Sequence, residues 1–223
     1  MNQRTTELIA MTDVVAINPR DTVNEVDYLA DCAVKYGYHL VFVSQCFTEY
    51  MIGKLNGTDV KVGGGIGNST GAGEEPLEFK LEAAKHWAKA GCGELELFLN
   101  IPYMRSGMYD EVEKEVKIVR SATPTILKLI LNTPLLTDEQ IQIACEIAIN
   151  TGCDFVKTGT GFFGPTKLES VALIHQTVGQ RIQIKAAGGI SDFMTIEQLR
   201  FLGVTRLGIS NKKLLGMIES LET

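Results

Sequence analysis

The sequence predicts an α/β protein of the (β/α)8 TIM-barrel class, with one domain over residues 1–223. Three features favour this class: eight short strand-like runs, helical patterns between them, and polar residues inside several of the runs. Eight β/α units in 223 residues make a compact barrel, because such barrels usually need about 200 to more than 400 residues. An open doubly wound sheet is the competing architecture.

The eight predicted strands are runs of five to seven residues in which apolar residues dominate or alternate with polar ones. In chain order they are DVVAI (13–17), HLVFVS (39–44), DVKVGG (59–64), ELELFLN (94–100), ILKLILN (126–132), DFVKT (154–158), IQIKAA (182–187) and RLGIS (206–210). Their recurrence, with a helical segment between neighbours, predicts parallel strands joined by crossover helices.

The segments between the strands carry helix end signals. Thr22 with Glu25, and Thr137 with Gln140, match the capping-box pattern at a helix start. Several helical segments are followed by a glycine, which tolerates the left-handed conformation that ends a helix. These glycines are Gly37, Gly91, Gly152 and Gly203.

Strand periodicity sorts side chains between the two faces of the predicted barrel wall. Both faces are buried, one against helices and one inside the barrel, and successive residues alternate between them. The residues expected to face the helices are Leu95, Leu97, Leu99, Leu127, Leu129, Leu131, Ile182 and Ile184. The residues expected inside are Glu96, Phe98, Asn100, Lys128, Gln183 and Lys185. So many polar groups predict an interior with a function beyond packing.

Three lysines, Lys128, Lys157 and Lys185, fall on the successive predicted strands five, six and seven. Neighbouring strands lie about 4.8 Å apart, so the ammonium groups are expected close together. A nearby positive charge and partial burial both lower the pKa of a lysine. A lysine that loses its proton readily is a nucleophile for carbonyl compounds. The pattern therefore predicts Lys157 as a Schiff-base nucleophile and Lys185 as the cation that lowers its pKa.

The alternative explanation is structural. The lysines would then pair with Glu96 or Asp13, or extend their charged ends to solvent. For one strand lysine this explanation is the simpler one, since lysines on strands usually find a partner. For three on consecutive strands, each followed by a loop, a functional site is favoured.

Two loops predict a phosphate site. KAAGGIS (185–191) follows strand seven and LGISN (207–211) follows strand eight, the loops that bind phosphate in many such barrels. Alone, a glycine pair is more often a tight turn; together with the second loop, phosphate binding is favoured. The candidate residues are Thr160, Gly188, Gly189, Gly208 and Ser210.

A third glycine-rich run, GGGIGNSTGAG (63–73), follows strand three. It lacks the strict GxGxxG frame and the later acidic residue of a dinucleotide-binding loop. A loop at the rim of the barrel is the favoured interpretation.

Composition narrows the functional class. The formal net charge of −6 argues against nucleic-acid binding, and no apolar run is long enough to span a bilayer. Five scattered cysteines and no secretory signal predict reduced thiols and a cytoplasmic location. Three histidines without a metal-ligand spacing argue against a zinc site, although carboxylates leave a hard-cation site open. Barrels of this size commonly pair, so a homodimer stays an open alternative.

These motifs resemble those of the deoxyribose-phosphate aldolase family over roughly residues 10–221. DFVKTGTGF (154–162) is similar to the family's Schiff-base motif, and IKAAGGIS (184–191) to its second lysine motif. The strand-five segment with Lys128, the strand-three loop and GELELFLNIPYMRSG (93–107) also match in layout. The resemblance implies a (β/α)8 barrel with class I aldolase activity that needs neither metal nor other cofactor.

The resemblance also implies roles for individual residues. Lys157 would form the Schiff base, Lys185 would tune its pKa and Glu96 would relay protons, with Asp13 and Lys128 supporting them. Gly188, Gly189, Gly208 and Ser210 would hold the phosphate. The implied reaction is the reversible cleavage of 2-deoxy-D-ribose 5-phosphate, a small phosphorylated sugar, into D-glyceraldehyde 3-phosphate and acetaldehyde.

Five positions depart from the family pattern. Glu96 replaces the usual aspartate, Gly159 a serine and Phe162 a lysine, and Asp13 is followed by Val14-Val15 instead of histidine and threonine. Two alternatives stay open. The first is a related Schiff-base lyase or thiolase that acts on another phosphorylated sugar or ketone. The second is a barrel that binds a phosphate ligand without catalysis.

Overall fold

The computed structural model describes residues 1–222. Within them, eight parallel strands close into a barrel in chain order, and β8 pairs with β1. The strands are Thr12–Ala16 (β1), Leu40–Val43 (β2), Lys61–Ile66 (β3), Glu94–Phe98 (β4), Ile126–Ile130 (β5), Phe155–Lys157 (β6), Gln183–Ala187 (β7) and Val204–Ser210 (β8). The predicted barrel class is confirmed, and the open sheet is wrong.

The helices surround the barrel. They are Gln3–Ala10 (α1), Val23–Tyr36 (α2), Thr48–Lys54 (α3), Leu77–Ala90 (α4), Ile101–Arg105 (α5), Tyr109–Ser121 (α6), Asp138–Asn150 (α7), Leu168–Val178 (α8), Phe193–Phe201 (α9) and Asn211–Glu222 (α10). Across the described 222 residues, none of them has the length and apolar character needed to cross a membrane.

The predicted helix ends are present. Thr22 and Thr137 each form a complete capping box, with Glu25 and Gln140 respectively. Gly37 ends α2 in the left-handed conformation, as expected for a glycine cap. These local signals fix where helices begin and end, and so set the positions at which the strands enter the barrel.

Helix α1 was not among the predicted elements. It precedes β1, and the Asn2 side chain caps it by accepting a hydrogen bond from the Thr5 backbone N–H. The other end of the chain holds it in place, because Glu222 in α10 accepts hydrogen bonds from Asn2 N and Thr5 Oγ1. The helix depends on these distant contacts, which explains why local patterns did not predict it.

The barrel wall separates an apolar layer from a charged interior. The leucines predicted to face the helices, such as Leu95 and Leu127, are fully buried in the hydrophobic core. Asn100 corrects the alternation prediction: strand β4 ends before it, and its side-chain amide caps α5 and donates to Glu115 Oε2 of α6, outside the barrel. Gln183, also predicted inside, is exposed at the start of β7.

Candidate active site

Charged side chains from six strands meet inside the barrel. All of them are buried except for the partly exposed Arg206. We call this group the interior charge cluster; its members are Asp13, Glu94, Glu96, Lys128, Lys157, Lys185 and Arg206. Buried charges are stable only when paired, so the contacts within the cluster decide which groups stay ionised.

The part of the cluster nearer the ends of the strands contains Lys157 and Lys185, the lysines of the two motifs that contain glycines. Lys157 and Lys185 are register partners on β6 and β7. Glu96 bridges them, because its Oε2 lies 2.6 Å from Lys157 Nζ and its Oε1 lies 2.7 Å from Lys185 Nζ. Lys185 Nζ also donates to Asp13 Oδ2 at 2.5 Å. One carboxylate therefore contacts both lysines at once.

The lower part continues toward the start of the strands. Lys128 Nζ lies 2.5 Å from Asp13 Oδ2 and 2.6 Å from Glu94 Oε2. Arg206 donates to Asp13 Oδ1 at 2.7 Å, and His39 Nε2 lies 3.3 Å from Glu94 Oε1. The ion pairs of the structural explanation are thus present, and the lysines of strands five, six and seven also share one cluster, as the functional explanation requires.

The pKa of the Lys157 amine is shifted toward the neutral, nucleophilic form. Burial lowers its pKa from the ordinary 10.5 to about 8, against the opposing attraction of Glu96. The Lys185 cation lowers it further. Burial is thus a larger cause than the neighbouring cation that the sequence pattern indicated. A substantial fraction of the amine is neutral at slightly alkaline pH.

The partners of Lys157 stay charged. Burial opposes the charge of Lys185, but the carboxylates of Asp13 and Glu96 outweigh it and raise the pKa of Lys185. Burial likewise opposes ionisation of Glu96, yet the lysines, led by Lys157, lower the pKa of Glu96 to about 2. Burial and the Lys185 cation lower the pKa of Lys128. The arrangement can therefore hold an amine, a carboxylate and a fixed cation at one point.

Phe42 on β2 covers the ammonium groups. Its ring centroid lies 4.9 Å from Lys185 Nζ and 6.0 Å from Lys157 Nζ, within cation–π distance. The ring fits because the neighbouring strand has a glycine there: a Cβ on Gly63 would lie 2.2 Å from the Phe42 ring. The ring excludes water from the lysines and contributes to the burial that lowers the pKa of Lys157.

Lys157 opens on a small pocket of about 170 Å³ on the side of β2 and β3. We call it the donor pocket. Its lining residues are Val15, Ile17, Phe42, Val43, Ser44, Gln45, Gly65, Asn68, Glu96, Phe98, Lys157, Thr160 and Phe162. Phe42 and Phe98 give the pocket an apolar lining, while a hydroxyl and two amide side chains come from the loops after β2 and β3.

A larger cavity of about 680 Å³ lies on the side of β1 and β8, and we call it the acceptor cavity. Val15, Ile17, Thr160 and Phe162 line both spaces, so the two meet beside Lys157. All five predicted phosphate residues line the acceptor cavity: Thr160, Gly188, Gly189, Gly208 and Ser210. Lys212 and Lys213, in the first turn of α10, line it too, and Asp21, Glu25 and Glu219 contribute negative charge to its lining.

Gly188 brings two rim loops into contact. Its φ of 104° is in the left-handed region, and a Cβ there would lie 2.9 Å from the backbone nitrogen of Gly161. The loops after β6 and β7 can approach this closely only without a side chain at Gly188. The loop after β6 and the loop after β7 thereby form one wall of the acceptor cavity.

Two members of the interior charge cluster, Glu94 and Arg206, were not predicted from the sequence. The period of two along a strand could have identified both. Glu94 lies two residues before Glu96 on β4, and Arg206 lies two residues before Gly208 on β8. Ser44, Gln45 and Asn68 of the donor pocket were missed as well. They lie after strands β2 and β3, where loop residues of a barrel commonly line the site.

Two known proteins of similar sequence share one name. A deoxyribose-phosphate aldolase of Caldanaerobacter subterraneus subsp. tengcongensis is 37% identical over 205 residues, which cover 90% of this chain and 88% of that protein. A deoxyribose-phosphate aldolase of Klebsiella pneumoniae subsp. pneumoniae is 34% identical, over 100% of this chain and 90% of that protein. Both matches therefore extend over at least 90% of this chain.

Solved structures of similar fold include two aldolases. The tetrameric deoxyribose phosphate aldolase from Aeropyrum pernix has a TM-score of 0.85 at 25% identity, over 98% of this chain and 92% of that one. The aldolase QR15 has a TM-score of 0.87 at 29% identity, over 99% and 97%. No protein-family model matches the chain. The extent and identity of the sequence matches show that the chain belongs to the deoxyribose-phosphate aldolase family.

Proposed function

We propose that this protein is a class I aldolase that cleaves 2-deoxy-D-ribose 5-phosphate reversibly into D-glyceraldehyde 3-phosphate and acetaldehyde. One observation carries the proposal: a buried lysine with a pKa lowered to about 8 contacts a carboxylate and lines the donor pocket, which shares Thr160 and Phe162 with the cavity of the glycine-rich loops. The names of the relatives support the choice of substrate.

Lys157 acts as the nucleophile. Its neutral amine attacks C1 of the open-chain sugar, forming a C–N bond, and the carbinolamine then loses water to give an iminium ion. The iminium is an electron sink, so the C2–C3 bond can break and its electron pair becomes the C1–C2 double bond of an enamine. Burial of Lys157 favours the neutral amine that begins this sequence.

Glu96 and Lys185 move and hold protons. As the C2–C3 bond breaks, a base takes the proton of the C3 hydroxyl, and the same group can return a proton to C2 of the enamine. Glu96, 2.6 Å from Lys157 Nζ, is the carboxylate in reach of these atoms. Lys185 keeps its proton through Asp13 and Glu96 and stabilises the ionised carboxylate. Hydrolysis of the remaining imine releases acetaldehyde and regenerates the amine.

The acceptor cavity holds the phosphate-bearing half of the sugar. Gly188, Gly189, Gly208 and Ser210 supply loop backbone and a hydroxyl, and Thr160 supplies a second hydroxyl. The first turn of α10 favours an anion through its unpaired N–H groups and helix dipole. Lys212 adds positive charge beside it. These groups fix the distance between the phosphate and the bond that breaks.

A retro-aldol assay tests the proposal. Purified protein is incubated with 2-deoxy-D-ribose 5-phosphate, and released acetaldehyde is measured by a coupled alcohol dehydrogenase. Release by the wild type, and none above background by Lys157→Ala, is the expected result. Equal release by both proteins would contradict Lys157 as nucleophile, and no release by either would contradict the substrate.

A further inference from the structure

The donor pocket has more room than acetaldehyde needs. Acetaldehyde has three non-hydrogen atoms, and its imine carbon carries a hydrogen where a ketone carries a second carbon branch. A space of about 10–15 Å³ in the same measure holds one water molecule, whereas the donor pocket measures about 170 Å³. The pocket can therefore accommodate several atoms beyond the two carbons that acetaldehyde contributes.

The extra room extends toward β2 and β3, away from the loops that line the acceptor cavity. Residues on and after β2 and β3, such as Phe42, Ser44 and Asn68, line the donor pocket alone, whereas the glycines after β7 and on β8 line the acceptor cavity alone. With the phosphate-bearing half in the acceptor cavity, the donor pocket is left for a branch on the imine carbon. Phe42 and Phe98 supply an apolar lining for the carbons of this branch.

Polar groups line the same pocket and suit a hydroxyl. Gln45 Nε2 donates to Gly65 O at 2.7 Å, which fixes that amide and leaves its oxygen as an acceptor. Within residues 1–222, neither the Ser44 hydroxyl nor the Asn68 amide makes a side-chain hydrogen bond to protein, although both line the pocket. A hydroxyl on the donor branch would satisfy these groups, whereas a plain alkyl branch would leave them unpaired.

We propose that the donor pocket binds hydroxylated three-carbon ketones, and that Ser44 and Asn68 select them by hydrogen bonds to the ketone hydroxyl. The proposal rests on the function proposed above, since it places a second donor class on the same Lys157. Hydroxyacetone is the probe. Its carbonyl carbon binds Lys157 with loss of water, its hydroxymethyl group occupies the donor pocket, and its methyl group loses a proton to give the enamine.

This orientation determines the product. The methyl-derived carbon faces the acceptor cavity and forms the new C–C bond with the aldehyde carbon of glyceraldehyde 3-phosphate, whose oxygen takes up a proton. Hydrolysis then releases a six-carbon 2-ketose phosphate whose third carbon is a methylene. The opposite orientation would form the bond at the hydroxymethyl carbon and would leave a methyl group in the product.

Matched ketones and matched variants test the selection. Hydroxyacetone and acetone differ by one hydroxyl, and Ser44→Thr and Ser44→Val differ by one hydroxyl at nearly equal volume. Each protein is treated with each ketone and cyanoborohydride, which adds hydride to the imine carbon and makes the adduct permanent. Intact and peptide mass spectrometry gives the rate of adduct formation on Lys157, and the ratio of the two rates removes differences in general reactivity within each protein.

The expected ratio of hydroxyacetone to acetone is about tenfold lower in Ser44→Val and Asn68→Leu than in wild type, the effect of one lost hydrogen bond. Ser44→Thr should keep the wild-type ratio. An equal ratio of hydroxyacetone to acetone trapping in wild type and the three variants would overturn the selection. Trapping of acetaldehyde but not hydroxyacetone on wild-type Lys157 would overturn it as well. A methyl signal in the NMR spectrum of the condensation product would overturn the orientation.

The outcomes separate this proposal from the proposed function. Cleavage of 2-deoxy-D-ribose 5-phosphate together with equal hydroxyacetone-to-acetone ratios in wild type and variants would contradict the hydroxyl selection alone. A variant-dependent ratio without cleavage of that sugar sinks the proposed substrate and supports the donor pocket. Absence of any adduct on Lys157 with acetaldehyde, acetone or hydroxyacetone overturns both.

Discussion

At the scale of single residues, the site depends on a lowered pKa for one lysine among several charged groups. Lys157 has a buried amine with a pKa lowered to about 8, while Lys185 next to it has its pKa raised. The difference arises from partners: Lys185 contacts two carboxylates, and Lys157 contacts only the one that they share. The unequal pairing divides the roles of nucleophile and fixed cation between two otherwise equivalent side chains.

This division predicts a pH dependence. Because only the neutral amine attacks a carbonyl, adduct formation on Lys157 should rise about tenfold per pH unit below about 8 and level off above it. Lys185→Met removes a cation that lowers the Lys157 pKa, so the inflection should move to higher pH. The measurement is the rate of cyanoborohydride trapping of acetaldehyde between about pH 6 and 10. A flat wild-type profile, or an unchanged inflection in the variant, would refute the assignment.

At the scale of elements, the rim loops join the lysine site to the phosphate-type loops. The loop after β6 carries Thr160 and Gly161, and the loop after β7 carries Gly188 and Gly189. Their contact depends on the missing side chain at Gly188. The β strands fix Lys157 and Lys185, and this loop contact fixes the acceptor cavity relative to them.

Replacement of Gly188 tests that contact. Gly188→Ala strains the left-handed backbone, at about 1–3 kcal/mol, and pushes against Gly161. The expected result is a KM for 2-deoxy-D-ribose 5-phosphate raised about tenfold, roughly 1.4 kcal/mol of lost binding. Gly53→Ala in α3 is the matched control, since nothing lies within 4 Å of a Cβ there. Steady-state kinetics and urea unfolding are compared, and lost stability with an unchanged KM would show a purely structural role.

Elements also show what the sequence could predict. The period of two in β4, β5 and β7 correctly predicted Glu96, Lys128 and Lys185 inside the barrel, because alternation is local to a strand. Asp13 was expected to pair with the lysines, but which lysines it contacts was not predictable, since its pair with Lys185 joins residues 172 positions apart and depends on the stagger of the strands. The register shift between β7 and β8 at Ile184 and Lys185 is one such feature.

At the scale of the whole molecule, eight β/α units were visible in the sequence because each unit repeats local signals. The volumes of the donor pocket and the acceptor cavity were not, because they depend on how rim loops from different units meet. Helix α1 was likewise not visible in the sequence, since contacts with α10 hold it in place. The repeated β/α signals therefore predict the barrel. The shape of its site depends on contacts between different units, which these local signals do not specify.

The buried lysine should cost stability. The Lys157 pKa is 10.5 in an unfolded chain and about 8 when folded, a difference of about 3 kcal/mol. A lowered lysine pKa means that the unfolded chain binds more protons between these values, so stability rises with pH there. Below about pH 8 the full penalty applies, and above about pH 10.5 it disappears.

Lys157→Met should therefore be more stable than wild type at pH 7, by about 1–3 kcal/mol in the free energy of unfolding. The excess should shrink as the pH rises from about 8 to 10.5. Urea unfolding followed by circular dichroism at several pH values measures the excess stability of the variant at pH 7 and its decrease at higher pH. Lys213→Met, at an exposed position on α10, is the control for loss of a surface lysine. A Lys157→Met variant less stable than wild type at every pH would show that the Glu96 contact outweighs burial.

The central claim is that Lys157 is an amine that forms a covalent imine with the substrate. The most direct measurement is borohydride reduction of the protein in the presence of 2-deoxy-D-ribose 5-phosphate or acetaldehyde, followed by peptide mass spectrometry. The expected result is a single adduct on the peptide that contains Lys157, with the mass of acetaldehyde less one oxygen, and none in Lys157→Ala. An adduct on Lys128 or Lys185 instead, or turnover of the sugar without any adduct, would contradict it.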